Sequence, residues 1–155
     1  MQFDIERYDG GPFGGAKLAL YLGNRLAVIL RDATPGLIFA DHWDLPGGGR
    51  EGAEGPQACA LRECHEELGL VVPEAAIVWG RSFQEGAEVK WFFVAQMPET
   101  AIADVSFGDE GQEWRMMQES VFLAHAKAVP AFQTRLARWI AVRDQNEGGA
   151  KSPPP

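Results

Sequence analysis

The sequence predicts an α/β protein in which helices pack against both faces of a mixed β-sheet. Strand-like apolar segments come before, between and after two segments with helical periodicity, an order typical of a sheet sandwiched by helices. With 155 residues, of which 46% are hydrophobic, the chain is long and apolar enough for one domain with a real core. We expect this domain to span residues 1–145.

The first two predicted strands form a hairpin. Residues 17–22 and 25–32 are rich in apolar residues, and Gly23 and Asn24 between them are a two-residue turn signal. Residues 37–44, with the sequence LIFADHWD, then lead into a proline and three glycines that end regular structure.

A helix is predicted to begin near Pro56 and to end at Gly69, because proline suits the first turn of a helix and glycine the position after the last. At about 100° per residue, its apolar residues lie nearly opposite its acidic ones. The apolar residues are Ala58, Leu61, Cys64 and Leu68, and the acidic residues are Glu63, Glu66 and Glu67. The apolar face is therefore expected to pack against the core, and the acidic face to bind a ligand.

The rest of the chain continues the alternation of strands and helices. Strands are predicted at residues 77–83, 88–97, 102–107 and 113–117, the last two from weaker patterns. A second helix is predicted over residues 130–143, since its apolar residues are spaced as a core stripe. Residues 146–155 are rich in glycine and proline, which predicts a disordered tail.

Composition limits the classes of ligand. The formal net charge is −8, and no cluster of lysine and arginine offers a surface to a nucleic acid duplex. No apolar run reaches the roughly 20 residues of a membrane span, and the acidic N-terminus lacks the features of a signal peptide, so we expect a cytoplasmic protein. Because an acidic surface repels a polyanion unless metal ions screen the charge, we expect a small phosphorylated substrate that arrives with its metal ion. Cys59 and Cys64 are expected to be reduced thiols.

The acidic face of the predicted helix suggests a metal site. Glu63, Glu66 and Glu67 lie at positions i, i+3 and i+4. Like charges at this spacing destabilise a helix unless a cation neutralises them, and Mg²⁺ binds a few carboxylates together with substrate phosphates. The alternative is an ordinary solvated acidic face.

Residues 48–70 resemble the Nudix box, which has the pattern Gly-x5-Glu-x7-Arg-Glu-U-x-Glu-Glu-x-Gly-U, with U a bulky aliphatic residue. The matching residues are Gly48, Glu54, Arg62, Glu63, Glu66, Glu67, Gly69 and Leu70. The one departure is Cys64 at the first U position, which is apolar enough to pack. The resemblance implies the Nudix fold, an α/β/α sandwich with a mixed β-sheet, over most of residues 15–145.

The resemblance also implies a hydrolase that cleaves the phosphoanhydride of a nucleoside diphosphate linked to another group, with Mg²⁺ or Mn²⁺ as cofactor. It implies that Glu66 and Glu67 ligate metal and that Glu63 ligates metal or orients the attacking water. The carbonyl of Gly47 or Gly48 is a further candidate ligand, because glycine allows close approach of the backbone.

Other residues have two interpretations. Arg62 is expected to hold a glutamate of the box in place, with direct phosphate contact as the alternative. Glu54 anchors the loop or completes the outer metal shell. Residues 109–114 look like the loop of MutT-type enzymes in which a glutamate joins the metal site, which nominates Glu110 as a metal ligand or general base, with Glu113 as its rival. Arg31 matches the place of an arginine that contacts substrate phosphates in MutT-like proteins. The alternative is a solvent-facing arginine at the end of a strand.

The substrate implied is a nucleoside triphosphate. Markers of ADP-ribose pyrophosphatases and of dinucleoside polyphosphate hydrolases are missing near residues 85–87, which favours a MutT-like (d)NTP pyrophosphohydrolase giving NMP and pyrophosphate. The alternatives are a hydrolase of those other nucleotides and a nucleotide-binding regulatory domain without catalysis. Family members are often dimers, so a homodimer is one expected assembly.

Two sets of residues are candidates to contact the base. Gln133 is a candidate to read a purine edge if the last helix is shifted by one residue relative to MutT-type enzymes. Aromatic side chains could stack on the base, although on strands they are more often part of the core. These aromatic residues are Trp43, Phe83, Trp91 and Phe93.

Overall fold

The computed structural model describes residues 3–151, with side chains for residues 3–147. Within that range the chain forms a sheet of seven strands: β1 (Gly15–Leu22), β2 (Arg25–Leu30), β3 (Trp43–Asp44), β4 (Gly47–Gly49), β5 (Ile77–Glu85), β6 (Glu88–Met97) and β7 (Glu113–Met117). Strands β3, β2, β1, β6 and β5 are adjacent in that order, while β4 pairs with β1 and β7 with β2. β1 and β6 are parallel and the other pairs antiparallel, so the predicted mixed sheet is confirmed.

β1 and β2 form the predicted hairpin. Tyr21 pairs with Leu26 next to the turn, where Gly23 has a φ of +72° that favours glycine. At its other end β1 pairs with β4 instead, and Lys17 lies opposite Gly47. This switch of partner places the glycine strand next to the start of β1.

Helices cover both faces of the sheet. Those in the described residues are α1 (Pro56–Leu68), α2 (Glu119–Ala124) and α3 (Pro130–Lys151). Side chains alternate along β1, so Leu18 and Leu20 belong to the core that contains α1, whereas Ala19 and Tyr21 belong to the core that contains α3. The predicted α/β/α sandwich is therefore confirmed.

α1 has the predicted bounds. Pro56 is its first residue, and Gly69 follows it with a φ of +66°, where its N–H donates to the carbonyl of His65. Its buried stripe is slightly rotated from the predicted one, because Ala58 is exposed whereas Cys59 is buried. Both cysteines are free, as predicted, and burial raises the pKa of each thiol to about 12.

Several elements differ from the sequence prediction: the glycines that were expected to end regular structure form β4, and a 3₁₀-helix at Glu74–Ala76 was not predicted. The strand predicted at residues 102–107 is wrong, because a 3₁₀-helix occupies Glu99–Asp104. Pro98 precedes this turn, and Ala101 and Ile102 pack on the core from consecutive positions and not by strand alternation. The short helix α2 was not predicted.

α3 extends beyond the predicted helix and into the predicted disordered tail. It continues through Lys151, whereas the predicted helix ended at residue 143, and residues 152–155 of the predicted tail lie outside the described residues. No proline interrupts the sequence between Pro130 and Pro153, so helical hydrogen bonding can propagate from the part of the helix that the core fixes. In the range described, none of the helices combines the length and apolar character needed to cross a membrane.

Candidate active site

The acidic face of α1 lines an open cleft of about 570 Å³. The lining residues are Lys17, Arg31, Asp44, Gly47, Gly48, Gly49, Glu51, Glu63, Glu66, Glu67, Asp109 and Glu110. They come from β1, the end of β2, β3, β4, the loop between β4 and α1, α1 itself and the loop before β7. The structure thus brings the predicted residues Arg31, Gly48 and Glu110 to the same cleft as the three glutamates of α1. Acidic residues predominate there, which favours a cation over a free phosphate.

Glycines in β4 allow α1 and β1 to approach this strand closely. Gly47 has a φ of +133°, and a Cβ atom on it would lie 2.2 Å from the carbonyl oxygen of Ala16. A Cβ atom on Gly48 would lie 2.7 Å from the carboxylate carbon of Glu63. A side chain at either position would therefore displace the strand or the glutamate.

Arg62 lies beside the cleft and connects three carboxylates to β4. Its Nε and Nη2 atoms donate to the two oxygens of Glu54 at 3.0 and 2.8 Å. Nη1 donates to Glu63 at 3.0 Å and to Glu66 at 3.1 Å, and Nη2 donates to the carbonyl of Gly49 at 2.9 Å. The hydrogen bonds from Arg62 lower the pKa of Glu54 to about 2, and those to Glu54 raise the pKa of Arg62. This geometry favours the holding role of Arg62 over direct phosphate contact.

Glu67 lies deeper in the cleft and has a different environment. Its Oε1 atom accepts a hydrogen bond of 2.7 Å from the backbone N–H of Gly47. Burial raises the pKa of Glu67 to about 7, and the Asp44 and Glu63 carboxylates act in the same direction, while Lys17 and the Gly47 N–H oppose them. A carboxylate that is disfavoured by burial and by neighbouring acids is one that a bound cation would stabilise.

Among residues 3–147, no three His, Cys, Asp or Glu side chains converge in a metal-binding arrangement. Glu63 and Glu66 pair with Arg62, and Glu67 accepts a hydrogen bond from a backbone N–H. The donor set nevertheless fits Mg²⁺ or Mn²⁺, since it consists of hard carboxylate oxygens that reach one open cleft.

The two candidate backbone ligands are not equivalent. The carbonyl of Gly47 accepts a hydrogen bond of 3.0 Å from the ammonium of Lys17, which would repel a second cation. The carbonyl of Gly48 accepts from the weakly donating thiol of Cys59, at 3.5 Å, and Gly48 also lies opposite Ala16 in the ladder between β4 and β1. The two carbonyls therefore differ in their partners, and both stay candidates.

Glu110 reaches the cleft because its loop is attached to the end of α1. The N–H of Ser106 donates to the carbonyl of Leu68 and that of Gly108 to the carbonyl of Glu67, both at 2.8 Å. Its rival Glu113 starts β7, outside the cleft lining, and pairs with Arg115 at 2.6 Å. The geometry thus favours Glu110 over Glu113.

Arg31 shares a buried aspartate with a lysine that sequence analysis missed. Its Nη1 donates to Asp44 at 3.0 Å, and the Lys17 ammonium lies 3.1 Å from the other oxygen of that carboxylate. Asp44 is 6% exposed. A charged residue within an apolar strand, such as Lys17 in β1, was the available signal, because it needs a partner when the strand is buried.

The aromatic residues and Gln133 have structural positions. Trp43, Trp91 and Phe93 are buried in the core, as expected of aromatic residues on strands, and Phe83 is half-buried under the guanidinium groups of α3. The amide of Gln133 donates to backbone carbonyls at the end of α2 and just after it, so its donors are already used.

Solved structures share this fold at low sequence identity. The MutT protein from Methanosarcina mazei Go1 has 19% identity and a TM-score of 0.66, with 85% of this chain and 96% of that chain covered. The Nudix hydrolase RenU from M. smegmatis has 23% identity and a TM-score of 0.67, with coverages of 84% and 86%. A C. elegans Ap4A hydrolase has 17% identity and a TM-score of 0.66, with coverages of 84% and 98%. At such identities the likeness shows the fold alone.

The family comparison covers most of the chain. None of the curated proteins matches it. The family model described as the NUDIX domain matches residues 18–140, a range that contains the whole box, the loop of Glu110 and most of the sheet. The chain therefore belongs to the NUDIX domain family, and this membership indicates a hydrolase of pyrophosphate bonds.

Proposed function

We propose that the protein is a divalent-metal-dependent pyrophosphohydrolase of nucleoside triphosphates that releases a nucleoside monophosphate and pyrophosphate. The observation that carries this proposal is that Glu63, Glu66, Glu67 and Glu110 line one open cleft that also contains Arg31. Carboxylates and a cationic fork that line one cleft suit a metal-bound polyphosphate.

Each of these four glutamates has a proposed role. Glu66 and Glu67 would ligate the metal, and Glu63 would ligate it or orient the attacking water. Glu110 would complete the metal site or accept the proton of the water. When bound, the divalent metal supplies charge stabilisation to the pyrophosphate and the attacking water.

Two arginines have supporting roles. Arg31 would donate to phosphate oxygens, since its guanidinium lines the cleft and is 29% exposed. Arg62 would fix the orientation of Glu63 and Glu66 through the hydrogen bonds described above. Arg62 is thus a positioning residue.

A panel of nucleotides tests the proposal. Nucleoside triphosphates, ADP-ribose and a dinucleoside polyphosphate would be supplied with Mg²⁺ or Mn²⁺, and the products identified by mass spectrometry in ¹⁸O-water. We expect triphosphates to give monophosphate and pyrophosphate, with ¹⁸O in one product, and activity to vanish in excess EDTA. Preferred cleavage of ADP-ribose or the dinucleotide would correct the substrate. Binding of nucleotide without any turnover would indicate a regulatory domain, and full activity in EDTA would contradict the mechanism.

A further inference from the structure

Lys17 of β1 lines the cleft but has no role in the chemistry proposed above. Its side chain is 17% exposed, and its ammonium reaches the corner formed by residues 44–47, where β3 leads into β4. A side chain on Gly47 would obstruct this approach, because its Cβ atom would lie 2.9 Å from Cδ of Lys17. The lysine stem therefore passes directly over the glycine strand.

The Lys17 ammonium uses its donors at this corner. Nζ donates to the carbonyls of Gly47 and Leu45 at 3.0 and 3.2 Å, and to the carboxylate of Asp44 at 3.2 Å. An ammonium has three N–H donors, and these groups supply three acceptors. A cation with its donors engaged in this way is suited to holding the corner and not to binding a phosphate directly.

Both ends of the corner contact residues of the proposed active site. At one end, the N–H of Gly47 donates to the carboxylate of Glu67 at 2.7 Å. At the other end, Asp44 accepts a hydrogen bond of 3.0 Å from Nη1 of Arg31. Asp44 is almost fully buried, so its charge needs partners, and Lys17 and Arg31 are its ion pairs within the described residues. Loss of Lys17 would therefore loosen Gly47 and draw the Arg31 guanidinium onto Asp44.

We propose that Lys17 is a positioning residue, whose ammonium fixes the corner at residues 44–47 and thereby aligns Glu67 for metal binding and Arg31 for the substrate phosphates. The inference rests on the proposed function, since it adds a residue to that same site. The alternative is a structural ion pair with Asp44 that contributes to stability and leaves the geometry of the cleft unchanged. The two differ in how the folded protein behaves once the ammonium is removed.

Steady-state kinetics of Lys17→Ala and Lys17→Met test this role. Measured well below the unfolding temperature of each variant, kcat should fall about 10-fold or more, because Glu67 is no longer aligned. KM for a nucleoside triphosphate should rise as well, because Arg31 is held by Asp44. Lys17→Met keeps an apolar stem over Gly47 and serves if Lys17→Ala fails to fold. Wild-type kcat and KM in a folded variant would overturn the proposal.

Chemical rescue shows whether the ammonium itself is required. Lys17→Ala removes three carbons and the ammonium, which together make up propylammonium. Added propylammonium should raise kcat of Lys17→Ala at least about fivefold over sodium chloride of equal ionic strength, because it restores the aligned corner. It should not rescue Lys17→Met, whose side chain fills the space. An equal response to the two salts in Lys17→Ala, or equal rescue of both variants, would overturn the proposal.

Hydrogen exchange of the Gly47 amide reports the alignment without any activity measurement. In Lys17→Met this amide should exchange at least about tenfold faster than in the wild type, as measured by NMR, and more than the amide of Val94 in the centre of β6 accelerates. A purely structural ion pair would instead raise both exchange rates by the same factor through global unfolding. An equal change in the two amides would overturn the proposal.

Lys90→Met is the matched control. Lys90 lies on the adjacent strand β6, is half-buried and pairs with Glu88 at 3.7 Å, but it is outside the lining of the cleft. Its substitution should leave kcat, KM and the exchange of Gly47 unchanged. If no triphosphate is hydrolysed while Gly47 exchange depends on Lys17, the alignment stands and the proposed function fails. If triphosphates are hydrolysed and Lys17→Met matches the wild type in kinetics and exchange, the proposed function stands and the inference fails.

Discussion

Glu67 and Gly47 are joined across the junction of α1 and β4 by a hydrogen bond of 2.7 Å from the glycine N–H to the carboxylate. The bond holds Glu67 in a position where burial raises its pKa to about 7 from the usual 4.5. Between these two values the folded protein retains a proton that the unfolded chain has released. The free energy of unfolding of the metal-free protein should therefore fall as pH rises through this range.

Urea denaturation in EDTA measures this effect. We expect Glu67 to contribute a decline of at most about 1.4 kcal/mol per pH unit between about pH 5 and pH 7. Glu67→Gln keeps an oxygen for the Gly47 N–H but cannot titrate, so its decline should be smaller. Glu54 titrates outside this range, because Arg62 lowers its pKa to about 2. An equal slope in Glu67→Gln and the wild type would contradict the prediction.

Metal should reverse this pH dependence. A divalent cation binds the ionised form of Glu67, so Mg²⁺ or Mn²⁺ should raise the unfolding free energy more at about pH 8 than at about pH 5.5. Denaturation at both pH values, with and without metal, checks this. Equal stabilisation at the two values would count against Glu67 as a ligand.

Replacing Glu67 should abolish most of the activity and leave the fold intact. We expect Glu67→Gln to lower kcat at least about 100-fold, since one metal-binding oxygen that stabilises transition-state charge is lost. Steady-state kinetics with saturating metal measures the effect, and circular dichroism checks the fold. Turnover comparable to that of the wild type would refute the assignment.

Glu110 and Glu113 provide a matched pair three residues apart. Glu110 lines the cleft, whereas Glu113 lies outside the lining and pairs with Arg115. Glu110→Gln should lower kcat by about 10²-fold or more if it acts as a general base, and Glu113→Gln should stay within about twofold. A large loss of kcat in Glu113→Gln together with little loss in Glu110→Gln would assign the role to Glu113 instead.

Arg62→Lys should weaken both folding and metal binding. A lysine cannot reproduce the two bonds to Glu54 together with those to Glu63 and Gly49. We expect a loss of about 1–3 kcal/mol in unfolding free energy and a weaker Mn²⁺ affinity by titration calorimetry. Arg7→Lys, at an exposed position, is the control and should change neither.

Gly47→Ala should be among the most damaging single changes, because the new Cβ atom would lie 2.2 Å from the Ala16 carbonyl oxygen at an unfavourable φ. We expect a loss of more than about 3 kcal/mol or failure to fold. Gly52→Ala is the matched control: its φ is +57° and no atom lies within 4 Å of the added carbon, so the loss should be about 1 kcal/mol. Thermal unfolding compares the two.

Local signals were sufficient for much of this fold. Pro56 and Gly69 bounded α1, Gly23 and Asn24 marked the hairpin, and the spacing of the glutamates placed them on one face. Segments governed by tertiary packing were not predictable in the same way. The 3₁₀-helix at Glu99–Asp104 is an example.

The residues missed in the site depend on partners distant in sequence. Lys17 and Asp44 are 27 positions apart, and their pairing requires the strands to be assembled. Spacing within one helix can be calculated from the chain, whereas contacts between elements require the fold.

The attachment of residues 106 and 108 to the last turn of α1 makes the helix end and the Glu110 loop a single mechanical unit. Fraying of that turn would therefore displace Glu67 and the Glu110 loop together. A substitution that loosens the packing beneath this turn, for example at Leu68, should therefore lower catalytic activity by moving Glu67 and Glu110 at the same time.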